Sequence, residues 1–478
     1  MTATAPPVNS ARRWWNSWQG LVLLFLIGLP AVTCRIYASD EVQYFAYLRS
    51  LWFDHDVSFE NEYRHFYDAG IAASPGFHET FLENTTETGR RINFGTIGCA
   101  ILWAPFYAAG DLVARAEHAA GRAVAVDGYS RPYIAAVSYG SALYGLLAVL
   151  LSAATVRQVS RDWPALASED TAAALAVWIG TPLLFYMYIA PPMSHATSAF
   201  SVALFLYAWQ RVRGEWSVAG MALLGVLAAL MAMVREQDAF VAAGPALDFA
   251  WTLAGSRGSD IRRRLGAALG GIATGALAFT PQAMAYEALN GHLGPSHLVA
   301  RKMSWSAPHA LEVLTSPGHG FFLWTPLAIV ALAGLVILLR RLPPGARSVA
   351  VALLVVAALQ VYVAGSVESW TVAGAFGQRR FVSLTSVLVV GLAAVLTAAR
   401  ASRVPGAIVL LAVVAGVWWN VSLIVQFGAG LMDRQRLEPA RIAYNTFVVV
   451  PRALPGLAWR YVTDRTSFYE SAHSPDSP

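Results

Sequence analysis

The strongest constraint on the fold of this sequence is a series of long apolar segments that recurs along the chain. Six of them cover residues 20–33, 142–156, 218–234, 265–280, 321–339 and 407–417. A helix needs about 20 apolar residues to span the hydrocarbon core of a bilayer, and several of these segments approach that length. Because 56% of the residues are hydrophobic and only 13% are charged, the composition also differs from that of soluble globular proteins. The sequence therefore predicts a polytopic membrane protein.

The expected fold is an all-α bundle of about 11 to 13 transmembrane helices, because backbone exposed to lipid must satisfy its hydrogen bonds within each helix. The first helix is expected at residues 17–34. The others are expected near residues 98–113, 134–156, 172–190, 194–209, 216–234, 239–253, 265–289, 321–339, 349–364, 381–399 and 405–425. Residues 1–425 would form this transmembrane module, and residues 426–478 would form a polar C-terminal tail.

Arginine positions indicate the orientation of the bundle, because basic loops of membrane proteins face the cytoplasm. Arginine clusters lie within residues 157–161, 211–213, 257–264, 340–347 and 400–403. Their placement predicts that the large first loop, residues 35–93, is extracytoplasmic, together with the loops 292–319 and 368–380 and the tail. We expect a multi-pass protein of a bacterial cytoplasmic membrane. The formal net charge of +5 comes from these anchors and does not indicate a nucleic-acid partner.

One region conflicts with the expectation that successive helices cross the membrane in alternating directions. If every predicted segment crossed the membrane, Arg157 and Arg161 would lie on the same side as the first loop. We therefore expect residues 98–133 to contain either a re-entrant pair of helices or a second short crossing at residues 119–126.

The first loop is acidic, with ten Asp and Glu residues against five arginines. Within it, Phe45, Leu48, Leu51 and Trp52 recur at helical spacing. This pattern predicts an amphipathic helix at residues 42–53 that lies along the membrane surface.

The most informative local motif is Ser39-Asp40-Glu41-Val42-Gln43-Tyr44, just after the first helix. In one interpretation the paired carboxylates only cap the amphipathic helix through its free N–H groups. In the other, Asp40 or Glu41 is a general base at the aqueous mouth of a cavity in the bundle.

This motif resembles the start of the first loop in integral-membrane glycosyltransferases of the GT-C fold, especially the aminoarabinose transferases of lipid A and the protein O-mannosyltransferases. In those proteins the loop opens with Asp-Glu, and a Tyr and an Arg follow at fixed spacings. Asp40, Glu41, Tyr44 and Arg49 stand at those spacings here. Two departures are His55, where Gly is more usual, and residues 91–95, which lack the family's Lys-Pro-Pro element.

The resemblance implies a GT-C-like fold and an inverting transfer of a sugar from a polyprenyl-phosphate donor to an extracytoplasmic hydroxyl. It assigns Asp40 as the catalytic base, with Glu41 beside it as a modulator or substrate contact. It also implies that Tyr44 and Arg49 contact substrate. The acceptor would be a lipid, an envelope glycan or a protein.

Candidates for holding the phosphate are Arg379 and Arg380, with Gln378, at the outer end of a late helix. An arginine pair on the outer side is unusual unless something anionic compensates it, and a guanidinium fork suits a phosphate. The alternative is that both arginines are interface anchors.

Arg235 and His195 are further candidates for contacting the substrate, since both are predicted on the outer side. For Arg235 the alternative is a loop that pairs its own charges, because Glu236 and Asp238 follow. For His195 it is a structural role at a helix start, where Ser194 would be the N-cap.

The histidines of the loop 292–319 have irregular spacing, so we predict no cofactor and no metal site, although the sequence leaves the use of a divalent metal open. Two rival functions remain. A transporter or flippase would be expected to show internal repeats and charges deep within helices. A ligase or polymerase of the O-antigen type would place its chemistry in a large late loop.

Overall fold

The computed structural model describes residues 18–372, 374–400, 403–465 and 467–470. Helix accounts for 74% of the structure, and the described residues form no strand. This confirms the all-α prediction. Isolated bridges pair Thr85 with Arg91 and Met303 with Val367.

The first part of the chain forms one apolar helix, a group of loop helices and a long hairpin. The helices are Trp18–Gly28, Ser39–Arg49, Glu60–Asp68, Gly98–Ala119 and Arg131–Val159. A short 3₁₀ turn lies at Leu29–Ala31, a single α-helical turn at Pro75–Phe77, and π-helical turns at Ser50–Asp54 and His78–Glu83.

The remaining helices build the body of the protein. They are Asp170–Gly180, Leu183–Tyr188, Ser194–Val212, Val218–Val234, Ala243–Ala254, Ser259–Ala278, Thr280–Asn290, His297–Arg301, Glu312–Thr315, Phe321–Trp324, Leu327–Arg341, Arg347–Ser366, Thr385–Ala399, Arg403–Gly428, Pro439–Tyr444, Val450–Thr463 and Ser467–Glu470. Tighter or wider turns join them at Pro164–Glu169, Glu236–Ala242, Pro344–Ala346, Arg379–Leu384 and Asn445–Val449.

Four helices in the described part of the chain are long and apolar enough to cross a membrane. They are Arg131–Val159, Pro344–Ser366, Arg379–Ala399 and Gly406–Gly428, and two shorter apolar helices are Trp18–Ala31 and Val218–Val234. The chain is therefore a membrane-associated helical protein.

Thr-Pro pairs explain why other predicted long segments are shorter helices in the structure. Helix Asp170–Gly180 ends just before Thr181-Pro182, and a second break coincides with Thr280-Pro281. A third lies at Thr325-Pro326, before helix Leu327–Arg341. Proline lacks the N–H of a regular helix and disfavours helical geometry in the residue before it. Each apolar stretch is thus divided into two helices.

Helix Gly98–Ala119 is a continuous element of 22 residues, and residues 120–130 contain no further helix. The expected re-entrant pair and the expected short crossing at 119–126 are therefore wrong. The helix packs antiparallel on the first half of Arg131–Val159. The Tyr144 hydroxyl donates to the Leu102 carbonyl (2.8 Å) and the Tyr133 hydroxyl to the Asp111 carboxylate (2.6 Å). The end at Ala119 thus lies towards Arg131.

Small residues allow the helices of the body to approach closely. A Cβ atom added to Gly334 would lie 1.8 Å from the Gly391 carbonyl oxygen, and one added to Gly225 would lie 2.0 Å from that of Gly271. Close contact of this kind between glycines is a common way for membrane helices to associate.

Helix Ser39–Arg49 confirms that a helix lies in this part of the first loop, although it begins and ends earlier than the predicted residues 42–53. Seven of its 11 residues are buried, so protein covers most of its surface. The Phe45 ring makes edge contacts with Phe66 (5.9 Å between centroids) and Tyr107 (6.0 Å). The contact with Tyr107 holds the middle of the helix against helix Gly98–Ala119.

The segment after Gly428 packs back on the first helix. The Tyr461 hydroxyl donates to the carbonyl of Ala31 (3.0 Å), and Arg465 donates to that of Pro30 (2.8 Å). The last part of the described chain therefore lies against the end of the first helix, beside the start of the first loop.

Candidate active site

Asp40 and Arg379 form an ion pair at the centre of the candidate site. The Arg379 Nη2 atom lies 2.8 Å from Asp40 Oδ2, and the two side chains keep 22% and 36% of their surface exposed. Asp40 is the second residue of helix Ser39–Arg49, and Arg379 opens the turn Arg379–Leu384. The structure thus joins the predicted base to one of the two predicted phosphate ligands.

Glu41 has a different role from its neighbour. Its side chain is fully buried, and Oε2 accepts hydrogen bonds from the backbone N–H groups of Tyr37 (2.8 Å) and Ala38 (3.1 Å). Burial raises the pKa of Glu41 to about 8, against the lowering effect of these two hydrogen bonds. Glu41 is the helix cap, which leaves the Asp40 carboxylate to face Arg379.

The chain around Arg379 is held by a tight turn. Gly377 has a positive φ of 65°, and a Cβ atom there would lie 2.7 Å from Pro182 Cγ, so glycine suits this position. Gln378 is fully buried and donates to the carbonyls of Trp370 (2.9 Å) and His319 (3.3 Å). The predicted substrate ligand Gln378 therefore fixes the turn that presents Arg379.

Arg380 has a different partner from Arg379. Its guanidinium donates to the Ser369 carbonyl (2.8 Å) and hydroxyl (3.2 Å). Its carbonyl accepts hydrogen bonds from Gln360 (2.8 Å) and Gln237 (3.3 Å). It remains close enough to interact electrostatically with Arg379, Arg235 and Asp40.

Arg235 and His195 meet beside this pair. Arg235 Nη1 donates to His195 Nδ1 at 3.2 Å, so the imidazole accepts at that atom. Helix Ser194–Val212 begins one residue before His195, with Met193 at the N-cap. The expectation that Ser194 caps this helix is wrong. The Tyr186 ring packs on His195 with 4.4 Å between centroids, and its hydroxyl donates to the Phe376 carbonyl (3.0 Å).

The charges after Arg235 do not pair among themselves. Asp238 is fully buried and accepts a hydrogen bond from Ser198 Oγ (2.5 Å), while Glu236 accepts one from the Tyr286 hydroxyl. Each charged side chain of this turn thus bonds to a different helix, so the expectation of a self-paired loop is wrong.

Tyr44 and Arg49 lie on the same helix as Asp40 but have different surroundings. Tyr44 hydrogen-bonds to Ser194, and burial raises its pKa to about 12 although Arg235 opposes the shift. Arg49 bonds to the carboxylates of Asp54 and Glu62 and to the Asp127 carbonyl. The structure brings Tyr44 to the cluster, whereas it places Arg49 in a salt-bridge network of the first loop.

Three side chains in or beside the site were not predicted from the sequence. Tyr186 interacts electrostatically with Arg379, Asp40 and Arg235. In the sequence, the feature that could have pointed to it is its position shortly before the Pro191-Pro192 turn. Gln237 and Gln360 hold the Arg380 backbone but come from separate segments. We call Asp40, Tyr44, Tyr186, His195, Arg235, Asp238, Arg379 and Arg380 the Asp40 cluster.

The described residues contain no group of three or more His, Cys, Asp or Glu side chains arranged to hold a metal ion. The chemistry that can be derived at the Asp40 cluster is that of a carboxylate beside several guanidinium groups.

Comparison with known proteins gives no relative, since no protein-family model and no curated protein matches the chain. The fold defines the class of the protein, which is all-helical and membrane-associated. Its charged cluster lies where several helices begin.

Proposed function

We propose that the protein is a GT-C-like membrane glycosyltransferase that moves a sugar from a polyprenyl-phosphate donor to an extracytoplasmic hydroxyl acceptor. The observation that carries the proposal is the Asp40 carboxylate 2.8 Å from the Arg379 guanidinium. A base for the acceptor and a cation for the leaving phosphate then lie side by side, as the reaction requires.

The charge balance of the Asp40 cluster favours an anionic ligand. Arg235, Arg379 and Arg380 supply three guanidinium groups, against the carboxylates of Asp40 and Asp238. Helices Ser194–Val212 and Arg379–Ala399 also begin here, and the N-terminal ends of helices carry partial positive charge. A phosphate at this position would find fork-shaped donors and favourable helix ends.

The reaction follows from these groups. The acceptor oxygen forms a bond to the anomeric carbon, while the bond from that carbon to the phosphate oxygen breaks. The acceptor proton passes to Asp40, and the polyprenyl phosphate leaves with both electrons of the broken bond. Arg379 would turn towards the phosphate and free Oδ2 of Asp40 as a proton acceptor. Inversion at the anomeric carbon is expected because no covalent intermediate forms.

The same proposal includes a topology. If helix Gly98–Ala119 stays on the side of the first loop, the other predicted segments cross the membrane about 11 times, with arginine clusters on one side. The Asp40 cluster then faces the extracytoplasmic side of a bacterial cytoplasmic membrane. This arrangement is supported by the Thr96 hydroxyl, which donates to the Val234 carbonyl (3.0 Å) next to Arg235: residue 96, just before the helix, then lies at the end of helix Val218–Val234 that is proposed to face outside.

The experiment is an assay of purified protein with a panel of polyprenyl-phosphate hexoses and pentoses, in which release of polyprenyl phosphate is measured. Asp40→Asn should lower the rate by roughly 10² to 10⁴. The matched control is Asp68→Asn, which changes an exposed carboxylate of the same loop. If Asp40→Asn works within about twofold of the wild-type rate, Asp40 is not the base. Failure of every donor with well-folded protein would count against the transferase.

A further inference from the structure

A second site lies on the other side of the segment that leads into Asp40. A cavity of about 1270 Å³ opens between residues 30–37, the start of helix Arg131–Val159, the end of helix Arg403–Gly428 and helix Val450–Thr463. Small-molecule pockets usually measure about 300–1,000 Å³. The cavity is therefore large enough for an amphiphile.

The walls of this cavity are largely apolar. Its lining includes Ile36, Ile189, Ile424, Val425, Leu454 and Leu457. It also lies at the ends of three apolar helices, Trp18–Ala31, Arg131–Val159 and Gly406–Gly428. In a membrane, the ends of such helices lie at the level of the lipid headgroups. A hydrocarbon chain could follow the apolar wall while its polar end stays at this level.

Four arginines line the same cavity, namely Arg35, Arg131, Arg434 and Arg465, and the described residues that line it include no Asp or Glu. Arg465 is held in place, because it donates to the Pro30 carbonyl (2.8 Å) and the Thr33 hydroxyl (3.0 Å). Arg131 forms no ion pair within the described part of the chain. Arg131 and Arg465 both act electrostatically on Cys34, so these two positive charges lie near the same part of the cavity.

The cavity is separate from the Asp40 cluster. The backbone between them is tied to the next element, because the Thr33 N–H donates to the Tyr188 carbonyl (2.8 Å) and the Tyr37 hydroxyl to that of Ile189 (3.3 Å). Asp40 and Arg379 are not among its lining residues. The cavity therefore cannot be explained as part of the ion pair that carries the proposed reaction.

We propose that this cavity binds a lipid with an anionic phosphate headgroup. The phosphate lies among Arg131, Arg434 and Arg465, and the hydrocarbon chain lies along the apolar wall. Phosphate matches the guanidinium groups in charge and geometry, and basic pockets between membrane helices suit anionic lipid headgroups. This site goes beyond the proposed sugar transfer and does not depend on it.

Cys34 gives a direct measure of occupancy, because it lines the cavity and is partly exposed, whereas the other cysteine, Cys99, is buried. The rate of Cys34 alkylation is measured on full-length protein in detergent, at alkaline pH because burial raises the pKa of this thiol. The probes are dioleoylphosphatidylglycerol, dioleoylphosphatidylcholine and inorganic phosphate. Phosphatidylglycerol at about ten times its Kd should slow alkylation about tenfold, and the other two should have little effect.

The variant that tests the arginines is Arg131→Gln with Arg434→Gln, and the matched control is Arg347→Gln outside the cavity. Rates with and without lipid are compared within each variant, because Arg131 itself influences Cys34. Protection should disappear in the double variant and persist in the control. Arg131→Gln alone, which breaks no ion pair, gives the same comparison if the double variant does not fold.

Several results would overturn the proposal. They are equal protection by phosphatidylcholine, equal protection by inorganic phosphate, no protection by phosphatidylglycerol, and full protection in the folded arginine variant. Protection that appears only after removal of residues 471–478 would assign the cavity to the chain's own tail. Sugar transfer is not measured here, so none of these outcomes depends on the proposed enzyme activity.

Discussion

Asp40 Oδ2 and Arg379 Nη2 lie 2.8 Å apart although one residue follows the first helix and the other precedes a late one. In this contact the two opposite charges offset each other. A phosphate arriving at Arg379 would compete with Asp40 for the guanidinium. Donor binding would therefore free the carboxylate to act on the acceptor, which couples the two halves of the proposed reaction.

The first prediction concerns the two adjacent arginines. Arg379→Ala should lower kcat/KM for the donor, because it removes the cation beside Asp40. The expected loss of transition-state stabilisation is up to a few kcal/mol. Arg379→Lys should recover part of the rate, since it restores the charge but not the fork geometry. Arg380→Ala should cost less, because the Arg380 guanidinium is bonded to Ser369. The measurement is kcat/KM for the donor.

The control for these variants is Arg347→Ala, which removes an arginine from the start of helix Arg347–Ser366, outside the Asp40 cluster. Its rate should match the wild type. Wild-type rates with both Arg379 and Arg380 replaced, in protein of normal abundance and stability, would assign the pair to interface anchoring.

The all-α class of the fold could be predicted from the sequence. Long apolar segments indicate which parts of the chain lie in lipid, where the backbone must form a helix to satisfy its hydrogen bonds. The breaks at Thr181-Pro182 and Thr280-Pro281 are also visible in the sequence, since proline disrupts helices locally. The sequence predicts a helix near residues 98–113, which the structure shows as Gly98–Ala119, but it does not predict how that helix packs. Its length permits a crossing, and only its packing on helix Arg131–Val159 shows that it runs beside that helix.

The residues of the site could be nominated one by one, but their partners could not. Asp40 and Glu41 are adjacent and chemically alike, and nothing local indicates that Glu41 turns back to cap the helix. The pairing of Asp40 with Arg379 and the burial of Gln378 depend on contacts between distant segments. Sequence patterns report local periodicity and do not report such contacts.

A second prediction tests helix packing. Gly225→Ala should destabilise the protein by about 1–3 kcal/mol, because the new methyl group would lie 2.0 Å from the Gly271 carbonyl oxygen. Gly270→Ala is the matched control in the same helix pair, since its methyl group would lie 3.8 Å from Val218 Cγ1. Thermal unfolding in detergent measures the difference. Equal midpoints for the two variants would contradict the close packing.

A third prediction uses the buried Glu41. Its pKa is raised from an ordinary 4.5 to about 8, so the folded state holds this proton to a higher pH than the unfolded chain. Stability from this group is therefore present below about pH 4.5 and is lost as the pH rises towards about 8. Glu41→Gln keeps a side-chain oxygen for the two N–H groups but cannot ionise.

The wild type should therefore lose stability relative to Glu41→Gln by at most about 1.4 kcal/mol for each pH unit between those limits. Thermal unfolding of both proteins across this range measures the effect. Parallel curves would show that the pKa of Glu41 is the same in the folded protein as in the unfolded chain. The same variant should lower sugar transfer far less than Asp40→Asn, because Glu41 caps the helix and does not face Arg379.

The last prediction concerns topology, with Cys34→Ser as the background and single cysteines introduced at exposed positions. Cysteines replacing Glu87 and Arg122 should be labelled from the same side of the membrane, because the proposed topology keeps helix Gly98–Ala119 on the side of the first loop. Cysteines replacing Arg161 and Arg257 should be labelled from the opposite side, since positively charged loops face the cytoplasm. A membrane-impermeant maleimide added before or after permeabilisation distinguishes the two sides. Labelling at position 122 from the cytoplasmic side would make helix Gly98–Ala119 a true crossing, and the proposed topology with about 11 crossings would fail.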